Sequence, residues 1–224
     1  VSSTSTTSSS QPVTTTPTQP QSADTFLTAG PLSPASSSLV AAPQTLAVAA
    51  AQTTGRSLYV STSGNNTSDG SSANPYATIA YGVSQLRAGD TLYINAGTYQ
   101  QSGGGAVFTA SGTADSHITV QGVGNVIIEG TGTTTISGYA VASNFNPAFD
   151  TGGQDYIDFR NLTVNNLRAP VKASTGSSYI DIDGVKADRD HFGVWVDGSD
   201  HVSVHNMMIT NCRNGVRTDS TAGV

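Results

Sequence analysis

From Tyr156 onward, apolar and polar residues alternate in short runs that recur at a fixed spacing. The segments "YIDFRNLTVNNLRAPVKASTGSS", "YIDIDGVKADRDHFGVWVDGSD" and "HVSVHNMMITNCRNGVRTDSTA" begin at Tyr156, Tyr179 and His201, 23 and 22 residues apart. Aligned on these starts, Ile157, Ile180 and Val202 coincide, as do Phe159, Ile182 and Val204. Leu162, Val185 and Met207 also fall together, then Val171, Val194 and Val216, then Ala173, Val196 and Thr218. Each unit holds three short alternating segments separated by polar or glycine corners. Period-2 alternation predicts strands. A repeat of about 22 residues predicts that they stack as the coils of an all-β solenoid. "HITVQGVGNVIIEG" (117–130) reads as an earlier, less regular coil.

Ahead of the coils the period changes. Ile79, Val83 and Leu86 stand at i, i+4 and i+7, one face of a short helix. Asn74-Pro75 precedes it, and Gly89 follows where a glycine closing a helix belongs. "TLYINAG" after it reads as a strand. A short one-sided helix must cover something apolar.

Residues 1–54 are of another kind. Asp24 is their only charged residue, and six of the nine prolines fall among them. A Ser/Thr/Pro tract of this composition buries too little apolar surface to offset chain entropy, so a disordered linker is expected. Such tracts serve as O-glycosylated stalks outside the cell. "LVAAPQTLAVAAAQ" (39–52) is apolar enough to dock on the folded part, expected at 55–224 with a cap at 55–100 and coils at 101–224.

Composition narrows the function classes. A net charge of −6 argues against nucleic acid as a partner. No apolar run is long enough to span a bilayer. The single cysteine, Cys212, excludes an internal disulfide and any CxxC metal motif. The four histidines, His117, His191, His201 and His205, show no zinc spacing.

The segment "YVSTSGNNTSDGSSANPYATIAYGVSQLRAGDTLYINAGTY" (59–99) resembles the N-terminal cap and first coil of extracellular β-helix proteins, family 9 pectate lyases among them. The coil repeats extend the resemblance to right-handed parallel β-helix proteins of the pectate-lyase-like superfamily. The resemblance implies that fold, a cap helix over the open end, a secreted or cell-surface location, and an asparagine ladder at the corner of Asn161 and Asn206, with Gly184 a gap in it. It implies activity less firmly, because lyases, epimerases and glycosidases share the cap. Family 9 pectate lyases carry Asp-Asp-Gly in a calcium cluster, and no Asp-Asp-Gly occurs here. The mannuronan epimerases carry Tyr-Gly-Phe-Asp-Pro-His; "HFGVWVDG" keeps the aromatic-Gly step and one Asp.

Stacked strands lie about 4.8 Å apart, so register turns the alignment into spatial columns. Outward from "GVWV" one column is Lys172, Trp195, Arg217, and two residues on is Ser174, Asp197, Asp219. The corner before the strand contributes Arg168, His191 and Arg213. An outward tryptophan between cations suits a sugar ring stacked on the indole, with its carboxylates held by the bases. Asp197 over Asp219, and Asp158 over Asp181, are like charges that need a counter-charge, either Ca²⁺ or nearby bases such as Arg160 and His205.

The expected function is action on an acidic polysaccharide by β-elimination. Lys172 or Arg217 would be the base, Trp195, Arg168, His191 and Arg213 the substrate contacts, and Asp197 and Asp219 the candidate Ca²⁺ ligands. The alternative is a non-catalytic cell-surface module that binds glycans. The chain ends inside a coil at Val224, so a truncated stack with further C-terminal coils of the same chain is expected.

Overall fold

The computed structural model describes residues 55–131 and 146–219, with the strands Thr134–Ile136 and Tyr139–Val141 between them. The expected linker, segment 39–52 and the terminus beyond 219 lie outside the described residues.

The entry is β1 (Ser57–Val60), α1 (Ile79–Ser84) and β2 (Thr91–Gln101). Then come β3 (Ala106–Val107), β4 (Ile118–Gly130), β5 (Thr134–Ile136), β6 (Tyr139–Val141) and β7 (Phe149–Asp150). The regular coils follow: β8 (Ile157–Arg160), β9 (Thr163–Asn165), β10 (Val171–Ala173); β11 (Ser178–Asp183), β12 (Lys186–Asp188), β13 (Phe192–Asp197); β14 (Asp200–His205), β15 (Met208–Thr210), β16 (Asn214–Asp219).

All pairings between coils are parallel. β8, β11 and β14 form one face, β9, β12 and β15 a second, and β3, β7, β10, β13 and β16 a third. β4 is long enough to pair with both β8 and β9, and so serves two faces. The chain is a parallel β-helix, and its register matches the alignment drawn from the repeat: Ile157↔Ile180↔Val202, Phe159↔Ile182↔Val204, Val194↔Val216.

The core is one stacked column of the aligned apolar positions. Ile157, Phe159, Ile180, Ile182, Val171 and Val194 are buried, with Phe108 and Phe149 packed edge-on or tilted against Phe159. In the last described coil the equivalent positions lose their cover: Val216 is 54% exposed and Ile209 36%.

α1 covers the other end, with Val83 and Leu86 buried and Ile79 packed on the core. Thr78 caps it, accepting from the Tyr81 amide at 3.3 Å. The helix ends at Ser84, so Gly89 is not its closing glycine. Gly89 instead takes a positive φ of 84° in the turn that leads into β2.

The corners hold a regularity that the alternation pattern does not show. Asn161, Gly184 and Asn206 are all left-handed, with φ of 52°, 66° and 47°. Gly184 is therefore no conformational gap in that ladder. Two further left-handed columns stack beside it: Asn166, Arg189, Asn211, and Tyr156, Tyr179, His201.

Candidate functional site

The third face and the corners before it gather the expected bases, substrate contacts and the Asp197–Asp219 pair. β10 and β13 pair Lys172 with Trp195, and β13 and β16 pair Trp195 with Arg217 and Asp197 with Asp219. Val194 is wholly buried, so alternation turns Trp195 outward. Arg168, His191 and Arg213 occupy successive corners before these strands, tied by Phe192 N–H to Arg168 O and Asn214 N–H to His191 O.

The indole is not bare. The Arg168 guanidinium carbon lies 4.0 Å from the ring centroid and the Lys172 ammonium 4.6 Å, both cation–π contacts. Its N–H donates to Asp219 Oδ2 at 2.9 Å. A partly buried tryptophan held this way orients two cations rather than offering an open ring.

The carboxylates on the face are paired with bases, Lys172 serving two of them. Lys172 Nζ lies 3.0 Å from Asp197 Oδ2 and 3.9 Å from Asp150 Oδ2. Arg217 chelates Asp219, with contacts of 2.6, 2.7 and 2.9 Å. The Arg217 hydrogen bond, helped by the Trp195 N–H, lowers the Asp219 pKa, and the same bond raises that of Arg217. Arg217 also reaches over the Phe192 ring, 5.3 Å from its centroid.

His191 is buried, its Nε2 3.3 Å from Arg213 Nη1 and its ring edge-on to Phe192. Burial lowers its pKa, and Arg213, Arg168 and Arg217 lower it further, all of them disfavouring the charged imidazolium. Burial and Arg217 likewise lower the pKa of Arg168. Asp190 beside it is a corner residue, with Oδ1 accepting from the Leu167 amide at 2.7 Å; burial drives its pKa well up.

The donor set at Asp197 and Asp219 does not fit Ca²⁺. The ion takes six to eight oxygens, whereas these two carboxylates are engaged by Lys172, Arg217 and Trp195. Among the described residues no three His, Cys, Asp or Glu side chains converge to hold a metal. The like-charge stack of Asp158 and Asp181 has the same solution: Arg160 lies 3.4 Å from Asp158 and 2.6 Å from Asp181.

Two placements differ from the expected columns. Ser174 is not open to solvent beside Asp197; it is buried, its amide donating to Thr151 Oγ1 and its hydroxyl to Asp150. Asp150 belongs to the site and was missed. It pairs in register with Lys172, exactly one 22-residue period earlier, but the irregular stretch before β7 hides the repeat there.

No protein-family profile matches the chain, and no curated protein matches it. Solved structures do share its fold. A rhamnogalacturonan lyase superposes with a TM-score of 0.51 at 13% identity, over 70% of this chain and 56% of that one. A GH136 lacto-N-biosidase from Eubacterium ramulus superposes with a TM-score of 0.52 at 14% identity, over 69% of this chain and 34% of that one. The chain thus spans about half of the first and a third of the second. At these identities the likeness shows the fold alone, a parallel β-helix.

Proposed function

We propose that the chain binds an acidic polysaccharide along the Lys172–Trp195–Arg217 face. The observation that carries this reading is the cation column. Arg168, Lys172, Arg213 and Arg217 line neighbouring rungs of one face on a protein of net charge −6. Rungs about 4.8 Å apart set Lys172 and Arg217 roughly 10 Å from each other, so both can hold carboxylates of one sugar chain. Trp195 fixes the cations' directions in advance, which lowers the ordering cost of binding. The reading includes right-handed winding, the sense that parallel crossovers almost always take. It also includes a location outside the cell, supported by the Ser/Thr/Pro composition of residues 1–54. The two proteins named above that share the fold are a rhamnogalacturonan lyase and a lacto-N-biosidase.

A second reading, β-elimination, is favoured by one observation: His191 is buried with its Nε2 3.3 Å from Arg213 Nη1, where burial and the surrounding arginines lower its pKa. Elimination needs a base with a free electron pair and a cation to stabilise the enolate-like charge. Lys172 and Arg217 are bound to carboxylates as cations. On this face His191 is the imidazole whose charged form burial and the neighbouring arginines disfavour.

The test is a titration of indole fluorescence with oligogalacturonate, oligoalginate and a neutral glucan, with and without Ca²⁺. A salt-sensitive response to the acidic oligosaccharides is expected. No response to either acidic oligosaccharide overturns the binding reading. Binding without a rise in ultraviolet absorbance from an unsaturated product removes the elimination reading.

A further inference from the structure

The first face, formed by β4, β8, β11 and β14, carries a second groove. Its floor is a column of short side chains, Thr119, Asp158, Asp181 and Ser203, in register on four rungs. One wall is a stack of rings. Tyr156 and Tyr179 lie 4.7 Å apart and 2° from parallel, and His201 stacks on Tyr179 at 4.6 Å. His117 closes the stack below, 5.4 Å from Tyr156. The other wall is the column of Arg160, Asp183 and His205. Small floor residues between two rows of long ones leave a trough of about 470 Å³ whose lining passes from His117 through Asp158 and Asp181 to Ser203, on four successive rungs.

The left-handed corners build the ring wall. Tyr156, Tyr179 and His201 sit at φ of 55°, 58° and 48°, directly before their strands. Each ring lies over the ring of the coil below, so ring edges line the wall while ring faces are taken up by stacking.

The polar groups in the trough are mixed. Asp158 and Asp181 accept, Arg160 donates, and His117, His201 and His205 each present ring nitrogens. Arg160 is shared between Asp158 and Asp181, and His117 Nδ1 lies 3.0 Å from Asp158 Oδ1. His205 Nε2 lies 3.3 Å from Asp181 Oδ1. Asp158 and Asp181 in the trough and Asp183 on its wall outnumber the one guanidinium, Arg160, an excess of fixed negative charge that disfavours a polyanion.

We infer that this trough is a second glycan-binding site and that its ligand is an uncharged polysaccharide chain. Hydroxyls both donate and accept, and so match a lining that does both. Four rungs span about 14 Å, room for a few sugar rings in an extended chain. A linear ligand follows from the direction of the trough. This site is separate from the cation column, and the two faces select opposite ligand chemistries: acidic chains on the third face, uncharged chains on the first.

Calorimetric titration of the full chain with cellohexaose, xylohexaose and mannohexaose tests the assignment. Binding of at least one is expected. Tyr179→Ala, which opens the ring wall, should weaken it about tenfold or more. Ser203→Phe, a substitution at an exposed floor position, should block it while leaving the fluorescence response to oligogalacturonate in place. Thermal midpoints and circular dichroism establish that each variant is folded; either variant alone suffices. No heat from any of the three oligosaccharides overturns the proposal, as does binding that survives both substitutions. Failure of the acidic titration leaves this site standing, because it reads a different face.

Discussion

The Trp195 indole N–H donates to the Asp219 carboxylate on the next rung, 2.9 Å away. Through that bond one rung reports on the other, since Asp219 also chelates Arg217. Replacing Asp219 with Asn removes the charge that occupies Arg217. The face becomes more cationic, and acidic oligosaccharides should bind about two- to fivefold more tightly at low salt, the gain fading as salt rises. Fluorescence titrations at several ionic strengths check this.

Lys172 stands between Asp197 and Asp150. Lys172→Met keeps the length of the side chain but leaves two carboxylates facing each other. Stability should fall by about 1–3 kcal/mol. Affinity for acidic oligosaccharides should drop about tenfold, with a smaller salt dependence. Urea unfolding and the same titration measure the two effects.

His191 sets a pH dependence. Its folded pKa lies below the unfolded value of about 6.5. Between those two values the unfolded chain binds more protons than the folded one, so stability rises with pH and falls on acidification. The thermal midpoint should decline as pH is lowered through 6.5, and His191→Gln should flatten that part of the curve.

Asp90 sets a second, more acidic limit. It is buried, and burial alone would raise its pKa, but the Arg56 side chain and the Arg56 and Arg87 amides outweigh burial and lower it. Its contribution is present above the unfolded value of about 3.9 and is lost as pH falls through the folded one. Asp90→Ala leaves those two amides unpaired and should cost about 2–4 kcal/mol at neutral pH, measured by denaturant unfolding.

Gly184 holds a left-handed corner at φ 66°, and a Cβ there would lie 2.7 Å from Asn161 Oδ1. Gly184→Val adds a branched side chain in a conformation it resists and should destabilise by about 1–3 kcal/mol. Gly184→Asn should cost less, because Asn161 and Asn206 hold the same conformation on either side. Paired melting curves of the two variants test the order.

By itself the sequence determined the coil. Alternation with a 22- to 23-residue repeat specified the strands, the inward column from Ile157 to Val204, and the alignment of Lys172, Trp195 and Arg217. It could do so because a one-residue slip would turn every buried side chain outward, so pattern and register are the same information. Which side chains meet within a face was decided only by the tertiary structure. Register brings Lys172 and Trp195 side by side, but not the turn of Arg168 over the indole or the chelation of Asp219 by Arg217. Those depend on rotamers and corner geometry that carry no period. The ring wall of Tyr156, Tyr179 and His201 was hidden for the same reason. Its residues recur in the sequence, but only backbone turns into the left-handed region lay one ring over the next.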